Sequence, residues 1–241
     1  MYRNLKLSLV VPCYNEEEGV AAVLNTTPDV VDEVVVVDNN CTDGTAAVAR
    51  ELGAKVVPQP IQGYGASYKK GFAAASGDVI ITLDADGTYP ISDIPRYVDM
   101  LEVDTLDFIT VRRMPEGKRS WCARWRLLGN YSLNAATFLM FGVKLKDSQS
   151  GMWVFRRHIL SQFNLVSDGM ALSEEIKIRA FTAPELKCAE TSGPYKTNRV
   201  GSSKLNVLSD GLSNLRFLVG MRFSTNGHVS DNTCSQRSSE P

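Results

Sequence analysis

Three short apolar runs constrain this chain more than any other feature: residues 7–11 (LSLVV), 34–37 (VVVV) and 79–83 (VIITL), each breaking off into polar residues. They are rich in β-branched side chains with little polar alternation, which suits strands buried on both faces of a parallel sheet. Helix-patterned segments separate them. PCYNEEEGV turns from the first run into a helix with acids in its first turn, where the helix dipole favours them. TDGT opens a second helix over 46–52, closed by Gly53, and a helix of small residues covers 63–75 after a short strand at 55–57. This alternation, covering residues 1 to 110, predicts an α/β fold with a mostly parallel central sheet and helices on both faces.

Parallel strands joined by right-handed crossovers present their carboxyl ends together, and open α/β sheets bind ligands there. The segments 12–16, 38–40 and 84–86 therefore converge on one crevice. Within it Asp84 and Asp86 form an Asp-x-Asp pair suited to a hard divalent cation, Mg2+ or Mn2+, which takes oxygen ligands and bridges to phosphates. A plain strand-to-turn junction is the alternative, since Asp and Gly also serve turns. A nucleotide fits the crevice, with Asp38 accepting hydrogen bonds from base or ribose. Gly63-Tyr64-Gly65 is not a dinucleotide fingerprint, because the third glycine, Gly71, comes too late and the segment does not follow the first strand. Those glycines either bring a helix start and Lys69 close to phosphates or serve close helix–sheet packing.

Composition narrows the class. A net charge of −1 over 241 residues excludes a general nucleic-acid binder, which needs a large positive field. Five scattered cysteines without C-x-x-C spacing fit a reducing compartment and no structural zinc site. The N-terminal apolar run is short and meets Pro12, unlike a signal peptide, and no stretch approaches the ~20 apolar residues of a membrane span. The N-x-S/T triplets at Asn25, Asn40 and Asn130 then lack a secretory context.

The second half is locally basic. RRMPEGKRSWCARWR, residues 112–126, holds six Arg/Lys against one acid, interleaved with Trp121 and Trp125. Such a mixture suits an anionic membrane surface, so 118–141 is expected to be an amphipathic helical region beside the site; a solvated basic face with two core tryptophans is the alternative. Arg112 or Arg113, leaving a strand at 108–111, are candidate phosphate ligands. Asp147 could act as a base, orient a sugar or cap the turn before Gly151. Of Glu174 and Glu175, on a helix over 171–181, one is expected at the solvated surface and the other towards the sugar. His158 and His228 stand alone and are assigned no role.

PCYNEEE, VVVDNNCTDGT, GYGASYKKG and LDADGTYP, in this order, resemble the family-2 glycosyltransferases of the GT-A fold, nearest to their dolichyl-phosphate mannosyltransferase and polyprenyl-phosphate glucosyltransferase group. DSQSGMW (147–153) is similar to that group's D-x-x-S-G-F element and RVGSSK (199–204) to its R-x-G-x-S-K element. The resemblance implies that Pro12, Tyr14 and Glu16 line a nucleoside pocket, Asp38 contacts the base, Asp84 and Asp86 hold a metal and the donor diphosphate, and Arg199 and Lys204 meet phosphate. Asp86, Asp147 and Arg199 are then the catalytic candidates, with Lys69, Arg112 and Arg113 as further ligand contacts. Some members carry a metal-contacting Gln where this chain has Thr88, so a hydroxyl or water would replace it.

The implied reaction moves a hexose, with inversion, from a UDP- or GDP-hexose to a polyprenyl phosphate. Such an acceptor needs no general base, since a phosphate monoester with a second pKa of about 6 is largely dianionic at neutral pH. Alternatives are a hydroxyl acceptor with Asp147 as base, an idle nucleotide-sugar-binding module, or a haloacid-dehalogenase-type phosphatase with Asp84 as nucleophile. The last is disfavoured because two or three strands precede the motif and no later strand ends in paired acids. The expected organisation is one domain over 1–223, with a donor half to 110 and an acceptor half beyond it, and a disordered polar tail over 224–241. Many relatives continue into membrane helices, whereas 212–223 has only a short apolar patch; a cytoplasmic enzyme, peripheral at the inner membrane face or anchored by a segment outside this chain, is expected.

Overall fold

The computed structural model of the chain describes residues 1–115, 121–196, 199–201 and 207–223; Lys204, residues 116–120, the 224–241 tail and the side chains of Trp121 and Trp125 lie outside the described residues. The first half runs β1 (Leu7–Cys13), α1 (Glu17–Thr26), β2 (Glu33–Asp38), α2 (Thr45–Glu51), β3 (Lys55–Pro58), α3 (Tyr64–Ala74), β4 (Val79–Thr82) and α4 (Ile94–Val103). The second runs β5 (Phe108–Pro115), α5 (Trp121–Phe141), β6 (Trp153–Arg156), α6 (Leu172–Thr182), β7 (Cys188–Tyr195) and α7 (Val207–Phe223).

These strands form one sheet in the order β3-β2-β1-β4-β6-β5-β7. Only β6 runs against its neighbours, being antiparallel to both β4 and β5. The expected mostly parallel sheet is therefore present, with a single reversed strand near its middle.

Burial on both faces explains the unbroken valine runs. Leu7, Leu9 and Val11 of β1 face one side with Ile81, where α1 contributes Val20 and α4 contributes Tyr97 and Val98. Val10, Val35, Val37 and Ile80 face the other, against Tyr68 and Phe72 of α3 and Leu172 and Ile176 of α6. Each fully buried Val, Leu or Ile stabilises the fold by roughly 1.5–3 kcal/mol. A polar substitution at the buried positions of β1, β2 or β4 thus has no solvated face to turn to.

A candidate active site at the carboxyl edge of the sheet

β4 ends at Thr82, and the chain then turns through Asp84, Ala85 and Asp86 at the edge where β1 and β2 also end. Asp84 Oδ1 accepts from Tyr64 Oη at 3.2 Å and from Tyr68 Oη at 3.4 Å. Burial, reinforced by the charge of Asp86, pushes the Asp84 carboxyl up to about 7. Asp86 is 4% exposed. Its Oδ1 accepts from the Thr88 backbone N–H at 3.1 Å and from Thr88 Oγ1 at 2.6 Å. Thr88 thus holds the carboxylate it follows. Gly19 of α1 allows this turn to sit where it does, because a Cβ there would lie 2.1 Å from the carbonyl oxygen of Ala85.

The turn is clamped from a distant part of the chain. The backbone N–H groups of Lys196 and Val200 donate to the carbonyls of Thr88 and Asp86 at 2.9 and 3.1 Å. Between them Arg199 reaches Glu16 Oε1 through Nη2 at 2.6 Å and Asp86 Oδ2 through Nη1 at 3.3 Å. One guanidinium therefore joins the end of β1 to the end of β4. Beside this cluster opens a cleft of about 420 Å³ lined by Pro12, Tyr14, Glu16, Asp84, Asp86 and Arg199. Asn39, from the 38–40 segment expected in the crevice, lines it as well, as do Asp168 and Asn214, which the sequence did not mark out. A larger cavity of about 880 Å³ lies by the amino ends of β1 and β4, near Leu5 and Asp78, and contains neither carboxylate of the pair. The smaller cleft is the one with chemistry in it.

Several expected ligands are placed elsewhere. Lys69 is 2.7 Å from Asp168 Oδ1 and lines the larger cavity, away from the carboxylate pair. The amides of Gly65 and Ala66, which open α3, both donate to the Asp168 carbonyl, and a Cβ at Gly65 would lie 2.4 Å from the Ser167 carbonyl oxygen. Close packing, not phosphate binding, accounts for these glycines. Asp38 stands level with Cys13 in the sheet register, accepts from the Cys41 N–H at 2.8 Å and is not among the residues that line the cleft. On β5, Arg112 and Arg113 point to opposite faces, since strand side chains alternate, and Arg113 takes the face of Asp147.

Asp147 is 3% exposed and its oxygens are filled. Arg113 donates through its backbone N–H at 3.1 Å, Nε at 2.8 Å and Nη2 at 2.7 Å, and Asn130 Nδ2 donates at 3.1 Å. Burial pushes this carboxyl up, but the charge and hydrogen bonds of Arg113 outweigh it and hold it down at about 2. A carboxylate so placed orients an arginine, and of the three roles open to Asp147 the base is the one this arrangement favours least. Below it, Lys177 Nζ donates to the carbonyls of Asp147, Ser148 and Ser150 at 3.1, 2.7 and 2.8 Å. The DSQSG loop is thereby fixed from both sides.

The expectation for the two glutamates is also corrected, for both are fully buried. Glu175 accepts from the amides of Val166 and Ser167 and pairs with Arg179 at 2.9 Å. Glu174 accepts from Gln149, whose own carbonyl accepts from Asn214 Nδ2 at 3.0 Å, and burial pushes its carboxyl up to about 8.

The pair Asp84/Asp86 fits a cation on the chemistry of its donors. Two oxygen ligands of like charge, one raised in pKa by burial and by the other's charge, lose their repulsion when a divalent ion joins them. Among the described residues no group of three His, Cys, Asp or Glu forms a closed metal cage.

The sequence and fold have known counterparts. The model of glycosyl transferase family 2 matches residues 8–163. Dolichyl-phosphate hexose transferase of Haloferax volcanii is 31% identical over 85% of this chain and 89% of its own. Dolichol-phosphate mannosyltransferase of Pyrococcus furiosus is 26% identical over 83% of this chain and 59% of its own. Among solved structures, glucosyl-3-phosphoglycerate synthase of Mycobacterium tuberculosis, in complex with Mn2+, UDP and glucosyl-3-phosphoglycerate, superposes with a TM-score of 0.69 at 22% identity, covering 90% of this chain and 78% of that one. The chain belongs to glycosyl transferase family 2.

Proposed function

We propose that the protein transfers a hexose, with inversion, from a UDP- or GDP-hexose to a polyprenyl phosphate. The observation that carries the acceptor class is the fork between Arg113 and Asp147. It engages Asp147, the candidate base for a hydroxyl acceptor, and sets up a guanidinium suited to an anionic one. The names of the Haloferax and Pyrococcus relatives support the same acceptor class, and the Mn2+ and UDP in the mycobacterial structure support the donor and cation.

In this reading Asp84 and Asp86 hold a divalent cation, which when bound neutralises the leaving diphosphate. Pro12, Tyr14 and Glu16 wall the nucleoside, with Asp38 near the base. Arg199 lies beside the leaving phosphates, and Arg113, oriented by Asp147, receives the acceptor phosphate. Residues 1–110 then serve the donor and 111–223 the acceptor, except that Arg199 reaches back to the donor phosphates. The work site is the inner face of the cell membrane; no helix of the described residues is long and apolar enough to cross it.

The test is nucleoside diphosphate release by purified protein with Mn2+ or Mg2+, a panel of UDP- and GDP-hexoses, and either a polyprenyl phosphate or free saccharides. Release with the lipid phosphate alone is expected. Release with saccharides alone overturns the acceptor assignment.

A further inference from the structure

α7 is apolar on two sides. Asn214, Phe217 and Leu218 are buried, and Leu218 joins Leu133 of α5 against Ile178 of α6. The opposite side carries Leu212, Leu215, Val219 and Phe223, exposed by 69%, 39%, 40% and 77%. Their spacing of three, four and four residues draws one stripe along the helix. α5 repeats the arrangement, with Tyr131, Phe138 and Leu139 exposed. α5 and α7 pack on each other and close a small apolar cluster with Ile178 of α6, so the apolar residues left exposed on each helix lie outside that cluster. Exposed apolar surface of this extent marks a site that something covers.

We infer that the outward face of α5 and α7 docks on an anionic bilayer surface, lying in the interface without crossing it. Three observations select this occupant. In sequence the two helices carry four arginines, Arg124, Arg126, Arg216 and Arg222, and Asp210 is their only acid; a basic helix with an apolar stripe is the combination that anionic lipid attracts. The chain after α7, residues 224–241, is polar apart from Val229 and Cys234 and offers no apolar mate for the stripe. Asp210, Ser213 and Asn214 of α7 also line the cleft beside Asp84 and Asp86, so docking this helix brings the cleft mouth to the membrane. The inference deepens the lipid-acceptor reading and rests on it for the purpose of docking.

The test is cosedimentation of the full chain with phosphatidylcholine vesicles, with and without phosphatidylglycerol, in the absence of donor and acceptor. The protein is expected in the pellet with the anionic vesicles and less so with the neutral ones. Leu215→Asp with Val219→Asp should cut partitioning by roughly tenfold or more, with the melting temperature and nucleotide-sugar binding unchanged. Val219→Trp should increase it, which guards against a loss caused by misfolding. Wild-type protein left in the supernatant, or equal pelleting of the double variant, overturns the inference. So does a wild-type dimer that the double variant dissolves while neither pellets, because the face then belongs to a second copy. These outcomes are independent of the transfer assay, which supplies its acceptor in detergent.

Discussion

Arg113 and Asp147 meet through two parallel hydrogen bonds, Nε to Oδ2 at 2.8 Å and Nη2 to Oδ1 at 2.7 Å, tying β5 to the loop before β6. The ring of Tyr195 lies against the same guanidinium, 5.6 Å from its Cζ. Removing one partner of such a buried pair leaves the other charge unmatched, so Asp147→Ala should cost about 3–5 kcal/mol in urea unfolding. Arg113→Lys keeps the charge without the fork. It should raise the KM for a lipid-phosphate acceptor and leave the donor KM unchanged.

The same pair fixes an acid limb of stability. With the folded Asp147 held at about 2 and an unfolded aspartate near ~3.9, its stabilisation is complete above the unfolded value and is lost as pH falls through the folded one. Asp147→Asn should flatten the stability profile between about pH 4 and 2. An unchanged acid limb would show that other carboxylates set it.

Arg199→Ala removes the bridge between Glu16 and Asp86. Hydrogen bonds to charged groups contribute about 1.5–3 kcal/mol, so nucleotide-sugar affinity with metal should fall roughly tenfold to a hundredfold by calorimetry. Arg199→Lys, which reaches one carboxylate at a time, should fall between the two.

Glu174 gives pH dependence of the opposite sign. Burial raises its folded carboxyl to about 8, so the folded state holds a proton that the unfolded chain has released, and stability declines as pH rises from about 4.3 towards 8. Glu174→Gln preserves an acceptor for Gln149 and abolishes the ionisation. Its unfolding free energy should hold steadier across that window than the wild-type value, as read by denaturant titrations at several pH values.

Gly19→Ala reverses an ordinary rule. Alanine in a helix interior is normally better than glycine by roughly 0.5–1 kcal/mol. Here the added Cβ meets the Ala85 carbonyl at 2.1 Å and must push the Asp84–Asp86 turn aside. The variant should fold with a lower melting temperature and lose metal-dependent donor binding, whereas Gly129→Ala, where a Cβ meets nothing within 4 Å, should do neither.

What could be read from the sequence was what local pattern writes. β1, β2 and β4 were legible because two-sided burial leaves uninterrupted apolar runs, and their shared edge followed from crossover handedness. β7 was not, because an edge strand with one neighbour keeps polar residues such as Glu190, Thr191 and Ser192 along its length. β6 is only four residues, too short for periodicity to declare. Side-chain fates depended on partners far along the chain. Asp168 pairs with Lys69, Arg113 occupies Asp147, and the amides of Val166 and Ser167 bury Glu175. No spacing rule announces such meetings.

The lone reversal of β6 has an architectural consequence. β5 points the same way as β4, so the chain departs from the catalytic edge at Pro115 and, because β6 runs backwards, re-enters the sheet from that edge at Trp153. The described residues between them, α5 and the DSQSG loop, thus begin and end on the edge of the sheet that carries the Asp84–Asp86 turn. An excursion of this kind can lengthen, shorten or be exchanged while the parallel strands that carry Asp84 and Asp86 stay as they are, so it is free to vary on a constant frame.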